Sequence, residues 1–129
     1  MSKLRLFVVR HGETAWSRER RFAGSRDVAL EPEGLRQCEA VARALASQVA
    51  ERARGAVQAL AASHTGETIV LVTHAIVTRL IVLDALGLGP ERLWTVDATP
   101  AGITEIEYEP GWATVHRMNT LAHLEAAAP

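Results

Sequence analysis

Two histidines directly follow apolar runs that have the length of buried strands. The run from Lys3 to Arg10 is followed by His11, and the run from Thr68 ends in His74. An arginine guanidinium can bind two phosphate oxygens at once, and an imidazole can attack phosphorus and carry the phosphoryl group covalently. A second imidazole can stabilise charge on the remaining oxygens. These residue types predict phosphoryl transfer, provided that the two histidines meet.

The segment between the two runs decides whether they meet. Apolar residues recur at helical spacing without a break of phase from Glu33 to Ala62. One helix over 33–62 would make a right-handed connection between parallel strands, so that both histidines lie at the same end of a sheet. A turn near 46–50 is the alternative, and it would leave the histidines about 25 Å apart. The unbroken phase favours the single helix.

The remaining segments complete an α/β pattern. Residues 12–32 predict a long loop with a helical turn around 16–20, and a helix over 75–86 ends at Gly87. A short helix is expected over 90–94, and strands over 103–108 and 112–117 form a hairpin. The tail, 118–129, is expected to cover a sheet edge. The length of 129 residues predicts one domain over 1–129.

Composition excludes several classes of protein. The net charge of −1 argues against a nucleic-acid binder, and the apolar content of 48% argues against disorder. No apolar run approaches the ~20 residues of a membrane span, so no membrane partner is expected. The single cysteine, Cys38, and the lack of a secretory leader predict a cytoplasmic protein.

The motifs resemble those of a known family. The run from Arg10 through His11 to Trp16 is similar to the amino-terminal signature of the histidine phosphatase superfamily, the phosphoglycerate mutase-like group. Val72-Thr73-His74, followed by a helix, resembles the second histidine motif, and residues 103–124 resemble the carboxyl-terminal hairpin and tail. The resemblance implies a three-layer α/β/α fold, here with a reduced sheet of about four strands and a C-terminal hairpin.

The resemblance also implies roles for individual residues. His11 would be the nucleophile that becomes phosphohistidine, Arg10 would bind phosphate, and His74 would be the second histidine of the pocket. Further phosphate contacts and supporting positions are implied at Ser17, Arg21, Ala75, Gly12, Glu13 and Thr14. Members of the family need no metal, so neither a metal nor a cofactor is expected, and the expected partner is a small phosphorylated metabolite.

One family segment is absent from the middle of the chain, with the seam near 46–50. That segment normally carries a second phosphate-binding arginine and a glutamate that protonates the leaving group. Four arginines could substitute, although nothing in the sequence selects one: Arg36, Arg43, Arg52 and Arg54. We therefore expect a phosphomonoester hydrolase with impaired turnover. The alternatives are a non-catalytic pseudophosphatase or phosphate-binding remnant, and an internally deleted gene product; mutase activity is the least expected.

The single long helix has a consequence for assembly. A helix over 33–62 would overhang the sheet by about 20 Å at ~1.5 Å per residue. The overhang would expose apolar surface unless another subunit covered it. The sequence therefore predicts a homodimer through the 33–62 helix, with a segment-swapped dimer as the alternative.

Overall fold

The computed structural model describes residues 3–10 and 32–127. The strands are β1 (Leu4–Arg10), β2 (Thr68–Thr73), β3 (Ile103–Glu109) and β4 (Trp112–Thr120). The helices are α1 (Pro32–Ser63), α2 (Ala75–Ala85) and α3 (Ala122–Ala127), with a short 3₁₀ helix over Pro90–Arg92. The loop predicted over 12–32 and its helical turn at 16–20 fall almost wholly outside the described residues.

Helix α1 is continuous. It runs for 32 residues from Pro32 to Ser63, so the prediction of one helix over 33–62 is confirmed and a turn near 46–50 is wrong. Proline at its first position costs nothing, because the amides of a first helical turn have no partner within the helix. From Ala46 onward the helix packs on the rest of the molecule: Ala46 is buried, and Val49 and Ala50 contact a cluster around Leu80.

The four strands form one mixed sheet in the order β2-β1-β3-β4. Strands β1 and β2 are parallel, whereas β3 is antiparallel to both β1 and β4. The register of the parallel pair runs from Arg5 opposite Thr68 to Arg10 opposite Thr73. Both strands therefore end at the same edge of the sheet, as the single helix requires.

The main core lies between one face of the sheet and the two longer helices. Side chains alternate between the two faces of a strand, and Leu4, Leu6 and Val8 of β1 are fully buried on the helix-covered face. There they meet Val57 of α1 and Ile81 of α2. The opposite face is open at β2, where two valines are mostly exposed: Val70 (66%) and Val72 (62%).

These elements confirm the α/β class, the sheet of about four strands and the C-terminal hairpin. The carboxyl-terminal part differs from prediction in two respects: β4 continues to Thr120 instead of stopping at 117, and residues 122–127 of the predicted tail form α3. A bulge between β3 and β4 near Glu105 lets the longer strand stay paired. Within the described residues, no helix has both the length and the apolar character needed to cross a membrane.

Candidate functional site

The candidate site lies where β1 and β2 end. Arg10 is the last residue of β1 and pairs with Thr73, the last residue of β2. His74 follows Thr73 and is the N-cap residue of α2; it has an exposed side chain, and its carbonyl oxygen accepts a bond from the amide of Thr78 at 2.9 Å. Ala75 opens the helix and is half-buried. The end of a strand and the start of a helix therefore meet beside Arg10, an arrangement that favours anions.

Most of the predicted site residues lie outside the described part of the chain. They are His11, Gly12, Glu13, Thr14, Ser17 and Arg21. Of the predicted set, the structure describes Arg10, His74 and Ala75, and it brings the ends of both strands together. The chain positions that immediately precede the two histidines are paired neighbours in the sheet.

The backbone and guanidinium of Arg10 are held by the segment that leads into β3. Its Nη1 donates a hydrogen bond to the carbonyl oxygen of Ala98 at 2.7 Å. Its own carbonyl oxygen accepts a bond from the amide of Ala101 at 2.9 Å. The buried Nε has no hydrogen-bond partner among the described residues. A buried donor without a partner is costly, and a bound anion would satisfy it.

The segment over 96–102, here called the 96–102 loop, is itself held by residues of β4 and α3. The Asn119 side chain accepts a hydrogen bond from the Thr99 amide and donates one to the Thr99 hydroxyl, both at 2.9 Å. His123 in α3 bonds the carbonyl oxygen of Ala101 at 2.7 Å. Ala101 and Asn119 both have positive φ, at 62° and 52°. Such backbone strain persists only where surrounding contacts enforce it.

A second arginine, Arg79 of α2, also contacts this loop. Its Nε donates to the carbonyl oxygen of Val96 at 3.0 Å, and its Nη2 pairs with the Asp97 carboxylate at 3.1 Å. Its guanidinium stacks over the ring of Trp94, 4.8 Å from the ring centre. Burial lowers the pKa of Arg79; Asp97 opposes this shift, and the charge of Arg10 adds to it. Arg79 and Arg10 therefore lie within electrostatic reach of each other.

Arg79 was not among the four arginines considered from the sequence. Of those four, Arg54 lies elsewhere: its guanidinium binds the Asp84 carboxylate at 2.8 Å. Arg52 is exposed, and the side chains of Arg36 and Arg43 lie outside the description. The available signal was the position of Arg79 on the helix that His74 opens, five residues further along. No sequence pattern indicated that Arg79 and Arg10 would both contact the 96–102 loop.

A cavity of about 830 Å³ lies at the opposite end of the sheet from Arg10. It is lined by the start of β1 at Leu4, the β3–β4 turn and the ion pair between Arg54 and Asp84. Burial, helped by the charge of Asp84, raises the pKa of the Tyr108 hydroxyl in its wall. Because this cavity is separated from Arg10 by the length of β1, it is distinct from the candidate site.

A sequence model of the histidine phosphatase superfamily (branch 1) matches residues 6–48 and 46–121. The two matches together include most of the chain. The chain belongs to the histidine phosphatase superfamily.

Individual relatives agree with this assignment. The 2,3-bisphosphoglycerate-dependent phosphoglycerate mutase of Nitratidesulfovibrio vulgaris is 34% identical over 91 residues, which are 70% of this chain and 30% of the mutase. The chain thus matches about a third of the length of that relative.

Solved structures show the same fold at lower identity. The phosphoserine phosphatase of Entamoeba histolytica, in complex with 3-phosphoglyceric acid, superposes with a TM-score of 0.72 at 16% identity, covering 94% of this chain and 99% of that one. The alpha-ribazole phosphatase of Shigella flexneri superposes with a TM-score of 0.64 at 14% identity, covering 90% and 96%.

Proposed function

We propose that this histidine phosphatase family member hydrolyses phosphomonoesters through a phosphohistidine at His11, with impaired turnover. The observation that carries the proposal is the parallel register that pairs Arg10 with Thr73, because the residues that follow them are His11 and His74. The buried Nε of Arg10, which has no hydrogen-bond partner in the part of the chain that the structure describes, supports the proposal, since a phosphate oxygen is a suitable acceptor for that donor.

In the proposed reaction, Arg10 and the amide of Ala75 hold the phosphate oxygens. A nitrogen of His11 attacks phosphorus and the ester P–O bond breaks. The ester oxygen leaves with the electron pair of that bond and takes a proton from solvent. Water then attacks the phosphohistidine and releases inorganic phosphate. His74 donates to the equatorial oxygens, where charge accumulates in the transition state. The roles of Ser17, Arg21, Gly12, Glu13 and Thr14 belong to the same proposal, as supports and further contacts.

The sequence lacks the family's acid glutamate, so the test needs a substrate whose leaving group departs without a proton. General acid catalysis typically contributes a factor of about 10²–10⁴, and most of that factor is lost here for an alkyl ester. An aryl ester such as p-nitrophenyl phosphate has a leaving group that departs without a proton. We therefore expect turnover of p-nitrophenyl phosphate and much slower turnover of an alkyl phosphate such as glycerol phosphate.

The experiment is to mix the protein with p-nitrophenyl phosphate, quench it with alkali and detect phosphohistidine by mass spectrometry. We expect phosphate on His11, and its loss in His11→Ala. The matched control is His64→Ala, because His64 lies in a turn, bonded to Glu67 at 2.7 Å. Phosphohistidine equally abundant in the His11→Ala variant, or none in the wild type together with no p-nitrophenolate, would refute the catalytic proposal.

The second candidate is a non-catalytic protein that binds phosphate groups. The sequence favours this candidate because it lacks the second phosphate-binding arginine and the acid glutamate that the family resemblance leads us to expect. Binding of inorganic phosphate by a protein that forms no phosphohistidine would support this candidate. We propose in either case a cytoplasmic protein. We further propose that it forms a homodimer through α1, because two apolar side chains of this helix are exposed, Val41 (57%) and Leu45 (47%).

A further inference from the structure

The guanidinium of Arg10 is held by a contact with the 96–102 loop. Its Nη1 bonds one acceptor among the described residues, the carbonyl oxygen of Ala98, at 2.7 Å. Among the described residues, the position of Ala98 therefore directs the guanidinium. A backbone carbonyl is a useful anchor only if its own peptide is rigid, so the contacts of Ala98 determine how well Arg10 is oriented.

The contacts that hold Ala98 lead back to Arg79. The Asp97 carboxylate accepts a hydrogen bond from the Ala98 amide at 2.8 Å, and the same oxygen pairs with Nη2 of Arg79 at 3.1 Å. Arg79 also bonds the preceding carbonyl, that of Val96, at 3.0 Å. A guanidinium presents several donors in a rigid fork, so one side chain fixes both a carbonyl and a carboxylate.

The environment of Arg79 suits a support. Its side chain is only 14% exposed, while that of Asp97 is 73% exposed. Trp94 covers one face of the guanidinium at 4.8 Å. A largely buried cation packed in this way has little freedom to move, whereas an exposed ion pair alone would contribute little. The fixed partner in the chain of contacts is therefore Arg79, and Asp97 is held against it.

We propose that Arg79 is a positioning residue for the phosphate site, which holds Val96 and Asp97 so that the Ala98 carbonyl fixes the guanidinium of Arg10. The effect of Arg79 on phosphate binding rests on the proposed function, whereas its effect on the orientation of Arg10 does not. In this proposal Arg79 supports Arg10 and is not itself a ligand of the phosphate. Its two described polar contacts go to the 96–102 loop.

The first test measures the orientation of Arg10 directly. The order parameter of its Nε–H group is measured by ¹⁵N relaxation in the wild type, Arg79→Gln, Arg79→Lys and the control Arg92→Gln, an exposed arginine of the 3₁₀ helix. We expect a high order parameter in the wild type and the control and a clear fall in Arg79→Gln. Arg79→Lys should fall as well, because an ammonium cannot reproduce the fork. Unchanged order of Arg10 in Arg79→Gln would overturn the proposal.

The second test measures affinity for inorganic phosphate by titration calorimetry in a double-mutant cycle with Arg10→Gln. Loss of a hydrogen bond that orients a charged group weakens binding by about tenfold. We expect that loss for Arg79→Gln in the wild-type background and no further loss when Arg10 is already glutamine. An equal loss in both backgrounds would show that Arg79 acts independently of Arg10, and would overturn the proposal.

Two further outcomes keep this inference separate from the proposed function. If the wild type binds no phosphate, the proposed function fails, while the order parameter of Arg10 still decides the role of Arg79. If Arg79→Gln does not fold, Asp97→Ala replaces it, because this exposed carboxylate can be removed without opening the core. Asp97→Ala should lower the order of Arg10 in the same direction by a smaller amount, and no change would count against the proposal.

Discussion

Asn119 holds the 96–102 loop at the price of an unfavourable backbone conformation. It has a φ of 52° and makes two side-chain hydrogen bonds to Thr99. Asn119→Ala removes both bonds and keeps the left-handed backbone, which an alanine tolerates poorly. We predict that this change lowers the free energy of unfolding by about 1–3 kcal/mol. Urea denaturation followed by circular dichroism measures the difference.

Two variants separate the causes of this effect. Asn119→Gly loses the same hydrogen bonds but adopts positive φ without strain, so it should be more stable than Asn119→Ala by about 1 kcal/mol. Gly102→Ala acts from the other side, since a Cβ at position 102 would collide with the Asn119 side chain. If Asn119→Ala were as stable as the wild type, Asn119 would not be an anchor of the loop.

Glu107 lies on the open face of the sheet among positive groups. Its carboxylate is 3.7 Å from Lys3, 3.5 Å from Arg5 and 3.7 Å from His116. Loss of hydration raises the pKa of Glu107, but Lys3, Arg5 and His116 together outweigh this effect and hold the pKa below its ordinary value of 4.5. The ionised form is therefore favoured more strongly in the folded than in the unfolded protein.

Because folding lowers the pKa of Glu107, the free energy of unfolding falls as the solution becomes more acidic. The contribution of Glu107 is complete above its ordinary pKa of 4.5 and is lost as the pH falls through the lower folded value. We predict that Glu107→Gln reduces the loss of stability between neutral pH and pH values below 4.5. Thermal unfolding from pH 7 to pH 3 in both proteins tests this, with the exposed Glu125→Gln as control. Identical pH profiles for wild type and Glu107→Gln would contradict it.

At the scale of the elements, α1 carries the topology of the site. Its continuity across 46–50 keeps β1 and β2 parallel, and thereby brings Arg10 beside Thr73. Ser47 is exposed in the middle of this helix. We predict that Ser47→Pro lowers the free energy of unfolding by about 3 kcal/mol or more, because a proline there removes a helical hydrogen bond and clashes with the preceding turn.

Ser47→Ala is the matched control, since alanine has the higher helix propensity and leaves the backbone intact. It should be as stable as the wild type or slightly more so. Urea denaturation gives the stability, and the ellipticity at 222 nm gives the helix content. A proline variant with full helicity and wild-type stability would mean that the chain can turn at this point, and the argument from one continuous helix would then fail.

The elements also show how far the sequence could predict this molecule. The phase of Leu45, Val49 and Ala53 was enough to predict one helix, because helical periodicity is a local property. The contact of Arg10 with Ala98 was not predictable, since it joins residues 88 positions apart through an irregular loop. The role of Arg79 was not predictable for the same reason: its partners, Val96 and Asp97, lie in an irregular loop without a periodic pattern.

At the scale of the whole molecule, two apolar side chains in the amino-terminal half of α1 are exposed to solvent. From Pro32 to Leu45 the helix extends about 21 Å at ~1.5 Å per residue, and Val41 and Leu45 lie exposed at 57% and 47%. Burial of such side chains contributes about 1.5–3 kcal/mol each. Two copies related by a twofold axis would each cover the other's apolar stripe, so the same two residues act twice in one interface.

We therefore predict that the wild type sediments as a dimer and that Leu45→Glu sediments as a monomer. In a dimer the glutamate carboxylate of each copy would be buried and unpaired, which costs far more than leaving it exposed in the monomer. Ser47→Glu is the control: Ser47 is exposed on the same helix but about 160° of rotation away from Leu45, and its variant should remain dimeric. Analytical ultracentrifugation at several concentrations distinguishes the two states. A monomeric wild type, or a Leu45→Glu dimer of unchanged affinity, would place the contact between copies elsewhere or exclude it.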